Sequence, residues 1–264
     1  MRQKILNVDV ADHVATLTLN RPERRNAWSL ELEQAFRQAM EQAASDPDVR
    51  VIVITGAGST FCVGADMEKL EQSASSQAVP VPAVTRSGDY EQRYSWILAI
   101  EKPVIAAING AMAGVGLCLA LFCDLRFMAE GARLSTAFAR RGLIAEHGIA
   151  WLLPRLIGPM NAADLLLSGR TVTAEEAQTL GLVRVLPEDD FGAQVRQRAV
   201  EIAQLSSPRS VQIIKRQMRE ARHQSLAQAT LLADAEVTRC RVSDDFKEGI
   251  ASFIQKRQPQ FTGT

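Results

Sequence analysis

The sequence predicts an α/β protein whose last quarter is helical, and three observations carry that prediction. Short apolar runs alternate with segments of helical period through the first 190 or so residues. Two of those runs, "VRVIVITG" and "KPVIAAING", each lead into a glycine-bearing loop. From about residue 190 onward, every segment is amphipathic with a helical period and heavily charged.

The elements follow in order. "KILNVDV" and "HVATLTLN" alternate as two strands around the turn "ADH", and Pro22 stops the second. Ser29 can cap a helix in "SLELEQAFRQAMEQAASDP", whose Leu32, Phe36 and Met40 share one face. The strand "VRVIVITG" enters "AGSTFCVGADMEKL". Residues 72–89, "QSASSQAVPVPAVTRSGD", are rich in Ser, Pro and small residues, and they predict a mobile loop beside the site rather than a domain linker. "KPVIAAING" repeats the strand-then-glycine pattern, and "GVGLCLALFCD" continues it as an apolar helix. "GIAWLLPRLIG" and "NAADLLLSG" read as helices. In "TAEEAQTLG", Thr173 and Glu176 have capping-box spacing and Gly181 ends the helix. Residues 1–200 are expected to form the core and 201–264 a helical C-terminal region.

Composition narrows the function classes. Thirty Lys and Arg balance thirty Asp and Glu in 264 residues, so no excess field draws the chain to nucleic acid or to an anionic membrane. The N-terminus lacks the apolar run and cleavage site of a signal peptide, and no apolar run approaches ~18 residues. A cytoplasmic location is therefore expected. Cys62, Cys118, Cys123 and Cys240 contain no CxxC pair and sit in apolar or helical surroundings, as expected of reduced thiols.

Chemistry is expected at the two glycine junctions, "ITGAGSTFCVGADMEKL" and "INGAMAGVGLCLALFCD". Glycine lets the backbone approach a ligand and turn its N–H groups outward, and a following helix adds the positive end of its dipole. Each junction alone is ordinary turn chemistry. Together they suggest a hole for an oxyanion such as a thioester enolate, where one donor contributes ~3–4 kcal/mol to transition-state stabilisation.

Six segments in order, "LNRPERRNAWS", the two junctions, "GLIAEHGIAWLLPRLIG", "LLLSGRTVTAEEAQTLGLVRVLPED" and "DDFKEGIASFIQKRQPQF", resemble the crotonase (enoyl-CoA hydratase/isomerase) superfamily over nearly the whole chain. The resemblance implies a crotonase-like spiral of ββα repeats with a helical C-terminal trimerisation region, and a homotrimer or dimer of trimers. It also implies an acyl-CoA thioester substrate with no other cofactor, coenzyme A being part of the substrate. The two oxyanion donors would be the amides of Ala65 and Val115. Many members carry glycine at the second position, and the isopropyl group of Val115 narrows the room for a bulky acyl chain. Arg24 and Arg25 fall where the family places basic residues near the CoA phosphates, whose geometry suits guanidinium. Lys256 would reach a phosphate from the last helix, in its own or an adjacent subunit. Asp66 would secure its loop and the nucleotide end of the ligand, with Met67 beside it in the binding site.

One departure bears on the reaction. Where hydratases of this superfamily hold a water between two glutamates, this chain has Cys118 and Phe138. A buried thiol stays neutral and phenylalanine has no titratable group, so two-glutamate hydration is disfavoured. Glu146 in "GLIAEHG" aligns with the acid of the double-bond isomerases, and Phe138 would line its substrate pocket. Phe138, Leu143, Ile149 and Trp151 are expected to surround the carboxylate. The first choice is thus a Δ3-to-Δ2 isomerase with Glu146 as base. Three alternatives stay open: a hydratase or hydrolase in which Glu146, with or without His147, activates water; a non-catalytic acyl-CoA-binding homologue; and a Glu146 that merely favours a helix start.

Overall fold

A computed structural model describes residues 4–66, 71 and 88–264. Most of the expected 72–89 loop therefore lies outside the described residues.

β1 (Leu6–Ala11) and β2 (Val14–Leu19) pair antiparallel from Leu6↔Leu19 to Ala11↔Val14. Their two-residue turn, Asp12–His13, has φ of 52° and 63°, the left-handed pair that matches strand twist in a tight hairpin. α1 (Leu30–Ser45) begins at Ser29, whose hydroxyl accepts from the Leu32 amide at 3.2 Å, and it buries Leu32, Phe36 and Met40. β3 (Val51–Gly56), β5 (Val104–Ile108), β7 (Leu125–Ala129) and β10 (Arg184–Leu186) extend the hairpin into a six-stranded sheet, ordered β1-β2-β3-β5-β7-β10 and parallel from β2 onward. β5 is buried at every position, as a parallel strand covered on both faces must be.

Three of the inner strands are each followed by a three-residue strand of a second sheet: β4 (Thr60–Cys62) after β3, β6 (Ala111–Ala113) after β5, and β8 (Arg133–Ser135) after β7. These three run parallel, with β9 (Thr171–Thr173) antiparallel at the edge. α2 (Val115–Leu121) follows β6 and buries all seven of its residues. This repeated strand, short strand and helix is the spiral that the sequence led us to expect.

α3 (Ile149–Ile157), α4 (Pro159–Ser168) and α5 (Ala174–Thr179) complete the body. Thr173 caps α5, accepting from the Glu176 amide at 3.3 Å, but only half of the expected capping box forms because the Glu176 carboxylate pairs with Arg170 instead. α6 (Phe191–Leu205) buries Phe191, Val195, Ala199 and Ala203 and runs straight through residue 200.

Beyond Ser206, α7 (Pro208–Glu220) buries no residue and α8 (Leu226–Cys240) buries only Glu236. α9 (Asp244–Gln255) buries Asp245 and Ser252 and leaves Phe253 and Ile254 exposed. Lys215 fastens α7 to the body by donating to Asp124 at 2.6 Å and to the Lys102 carbonyl at 2.9 Å. Asp124 also accepts from the Val104 amide at 2.7 Å, a structural role. Cys62, Cys118 and Cys123 are buried free thiols and Cys240 is half-buried. Among the described residues no helix is long and apolar enough to cross a membrane.

Candidate active site

A cleft of about 560 Å³ opens at the carboxyl ends of β4, β6 and β8, the end of parallel strands where α/β proteins place ligands. Its floor is built from the backbone. A parallel bridge joins Trp28 to Ala65, in which the Trp28 amide donates to the Gly64 carbonyl at 2.8 Å and the Trp28 carbonyl accepts from Asp66 at 3.2 Å. Those bonds use the neighbours of Ala65, so its own N–H points the other way. Val115 is the first residue of α2, so its N–H has no partner inside the helix.

Two glycines bring these amides together. Gly64 has φ of 101° and Gly114 has φ of 51° with ψ of −116°, conformations that suit only glycine. A Cβ on Gly114 would lie 3.7 Å from the Gly64 Cα, so the two turns touch. Gly116, the second residue of α2, sits flat on β4, where a Cβ would come within 2.3 Å of the Cys62 carbonyl oxygen.

The rim before Trp28 is tied by Asn26, a buried residue in the left-handed region. Its side chain accepts from the Arg21 amide at 2.9 Å and donates to the carbonyls of Ala57 and Thr60 at 3.0 and 2.7 Å. Arg21 donates to Asp66 at 2.9 Å and to the Ala27 carbonyl at 2.6 Å. Asp66 is thus tied to the rim through Arg21. Neither Arg21 nor Asn26 stood out in the sequence, since one polar side chain bonding three distant backbone groups leaves no periodic signal.

Glu146 lines the same cleft as Ala65 and Val115, with Phe138 and Leu143 beside it. Its side chain is 37% exposed. It caps nothing: Gly148 is the N-cap of α3 and no side chain bonds the first turn. Two expected neighbours lie elsewhere. Ile149 is buried in the core and Trp151 faces a separate cavity. The phase of α3 accounts for this, because Ile149, Leu152 and Leu153 share the buried face and Trp151 falls on the opposite one.

The thiol of Cys118 is pushed up to about 12, first by burial and then by the charge of Glu146. It is a neutral group near that carboxylate, as the sequence led us to expect. Phe138 is buried in the cleft wall. His147 has φ of 56°, and its ring packs edge-on against Tyr94 with centroids 4.8 Å apart. Desolvation, and then the charge of Arg93, hold its imidazole down to about 4. Its Nε2 stands 3.7 Å from the Glu146 carboxylate. A neutral ring at that distance makes neither an ion pair nor a hydrogen bond. Arg93, also in the cleft wall, is held by Glu33, and that bond raises the guanidinium further above its ordinary value.

Arg24 and Arg25 are exposed at the cleft mouth, and Arg25 ends its short turn at φ of 52°. Lys256 ends α9 in the left-handed region and is not among the residues lining the cleft. Met67 lies outside the described residues. Among the described residues, no group of three or more His, Cys, Asp or Glu side chains stands ready to hold a metal ion.

The sequence pattern of the enoyl-CoA hydratase/isomerase family matches residues 9–264. The "1,2-epoxyphenylacetyl-CoA isomerase" of Escherichia coli K12 is 34% identical over 253 residues, which is 95% of either chain. A "probable enoyl-CoA hydratase" of Mycobacterium tuberculosis is 32% identical over 263 residues, 99% of each. Among solved structures, an enoyl-CoA hydratase from Bacillus anthracis superposes with a TM-score of 0.89 at 31% identity, covering 99% of this chain and 100% of that one. A probable enoyl-CoA hydratase/isomerase from Mycobacterium abscessus gives 0.88 at 33%, covering 98% and 99%.

Proposed function

Because the chain belongs to the enoyl-CoA hydratase/isomerase family, we propose that it acts on acyl-CoA thioesters and shifts a double bond from Δ3 to Δ2, with Glu146 as its base. One observation carries this reading. Glu146 is an ionisable group in the cleft that shares its walls with the Ala65 and Val115 amides, while the neighbouring Cys118 and Phe138 cannot exchange protons near neutral pH.

The steps balance around one carboxylate. Glu146 takes a proton from C2 of the 3-enoyl thioester, and the C–H electron pair moves into the C1–C2 bond while the carbonyl π pair goes to the thioester oxygen. The two amides, pre-oriented by their glycine turns, hold that oxyanion. When the enolate collapses, C2=C3 forms, the old C3=C4 pair takes the proton from Glu146 at C4, and the carboxylate returns to its starting state. Arg24 and Arg25 at the mouth suit the phosphates of CoA, and Lys256 is proposed to reach them from its own or a neighbouring subunit. Met67 is proposed to contribute to the same binding site.

A second reading, hydration, is favoured by the hydratase names of several relatives. It requires Glu146 alone to position and activate a water that adds across C2 and C3. The same proposal gives the chain a core of residues 1–200 and a C-terminal helical region of residues 201–264. It also makes the protein a cytoplasmic homotrimer or dimer of trimers, supported by the exposed apolar side chains of α7 to α9, among them Met218, Leu231 and Phe253. Light scattering checks that stoichiometry.

The deciding experiment incubates the protein separately with a 3-enoyl-CoA and a 2-enoyl-CoA in deuterated water, follows products by mass spectrometry and NMR, and runs Glu146→Gln in parallel. Bond migration with no mass gain beyond exchanged deuterium is expected. The variant should lose about 10²–10⁴-fold in kcat, the usual contribution of a positioned base, with CoA-ester affinity nearly intact. A 3-hydroxyacyl-CoA product would establish hydration instead, and free thiol would establish hydrolysis.

A further inference from the structure

Behind the residue that follows Glu146 lies a second cavity, of about 370 Å³. Arg93 and His147 line both it and the catalytic cleft, so the two spaces adjoin across those side chains. Its remaining walls include Leu98, Phe122, Tyr90 and Trp151, with Arg222 and His223 in the short turn just beyond α7. We propose that this cavity receives the tail of the acyl group, and that the tail it fits is an aromatic ring. The proposal rests on the acyl-CoA reading of the cleft and names the substrate class for it.

Size admits such a tail. A cavity of ~150 Å³ suffices to hold benzene, and this one has room for a substituted ring. Its position fits as well, because a tail leaving C4 beside Glu146 meets His147, the next residue, at the boundary between the two spaces.

The walls select a ring over a linear chain of similar carbon count. Trp151 is 40% exposed in a concave wall, an unusual place to leave a large aromatic uncovered. His223 lies nearly parallel to it, with centroids 6.4 Å apart and 19° between planes, and Tyr90 meets His223 edge-on at 6.4 Å. Two arginines, Arg93 and Arg222, line the cavity, and Arg93 already packs over a ring, that of Tyr94, at 5.3 Å. An aromatic tail meets such walls by edge-to-face, stacked and cation–π contacts, whereas an alkyl chain gains only from burial.

Calorimetric titration of the full-length protein with three saturated thioesters, 4-phenylbutanoyl-CoA, decanoyl-CoA and acetyl-CoA, tests this without requiring turnover. 4-Phenylbutanoyl-CoA, whose ring is carried on C4, and decanoyl-CoA have ten acyl carbons each. The expected result is at least tenfold tighter binding of 4-phenylbutanoyl-CoA than of decanoyl-CoA. Trp151→Ala should abolish most of that preference and change acetyl-CoA affinity less than twofold. His223→Ala, at an exposed position, should reduce the preference in the same direction. Equal or tighter binding of decanoyl-CoA, or a preference unchanged in both variants, overturns the aromatic tail and leaves the acyl-CoA reading standing. Failure of all three thioesters to bind overturns the acyl-CoA reading and the tail site with it. A preference that persists in a protein showing no bond migration supports the tail site and refutes only the proposed reaction.

Discussion

Gly116→Ala is expected to destabilise the protein and slow it, although helix propensity alone favours alanine over glycine inside a helix by about 1 kcal/mol. The new Cβ would lie 2.3 Å from the Cys62 carbonyl oxygen and 2.8 Å from the Cys62 Cβ. The first distance falls about 1.1 Å short of the 3.4 Å at which ordinary contact begins. The opposing oxygen belongs to the backbone of β4, which cannot rotate away as a side-chain tip would. α2 must therefore lift by roughly an ångström, at the usual overpacking cost of about 1–3 kcal/mol, which outweighs the propensity gain. Val115 is the first residue of that helix, so its amide moves with it, and a displacement of this size costs on the order of 10²-fold in rate. Urea denaturation reads the stability, and bond migration on a 3-enoyl-CoA reads the rate. A variant as stable as the parent with an unchanged kcat would refute the claim that close packing of α2 on β4 sets the oxyanion geometry.

Other outcomes follow from the same site. Asn26→Ala strands an amide and two carbonyls in the rim and should lower stability by about 3 kcal/mol or more, measured by denaturant unfolding. His147 sits at about 4 in the folded chain against ~6.5 unfolded. Between those values only the unfolded chain binds the proton, so its contribution is complete above pH ~6.5 and is lost as pH falls toward 4. The size is on the order of 3 kcal/mol, and His147→Asn, which tolerates the left-handed backbone, should flatten that segment of the stability–pH curve. With Cys62, Cys118 and Cys123 pushed up to about 12 by burial, no more than one thiol per native chain should react with a disulfide reagent near pH 8, and all four after unfolding.

What the sequence disclosed and what it hid divide along physical lines. The hairpin, α1 with its Ser29 cap, the inner strands and both glycine turns were legible because period, capping and left-handed backbone each leave a local mark. The three-residue strands β4, β6, β8 and β9 were not, being too short to show a period. Glu146, Phe138 and the Arg24–Arg25 pair could be placed in one cleft from their motifs. Arg93 and His147 join that cleft to a second cavity through contacts between segments more than 50 residues apart, which no pattern along the chain reports. Trp151 was misplaced for a simpler reason: one step of helix phase decides which space a ring enters.

The two amides proposed to hold the oxyanion are parts of the main chain, at Ala65 and Val115. Every one of the non-proline amino acids carries that N–H, so replacing either side chain leaves the electrostatic device in place. Its weak points are the neighbouring glycines, which hold the angle. Proton handling, by contrast, hangs on individual side chains that a single codon change can erase or relocate. On the proposed reading, a chain of this design can exchange one thioester reaction for another while its enolate-holding floor is inherited whole, and two such proteins a third identical need share no more chemistry than that floor.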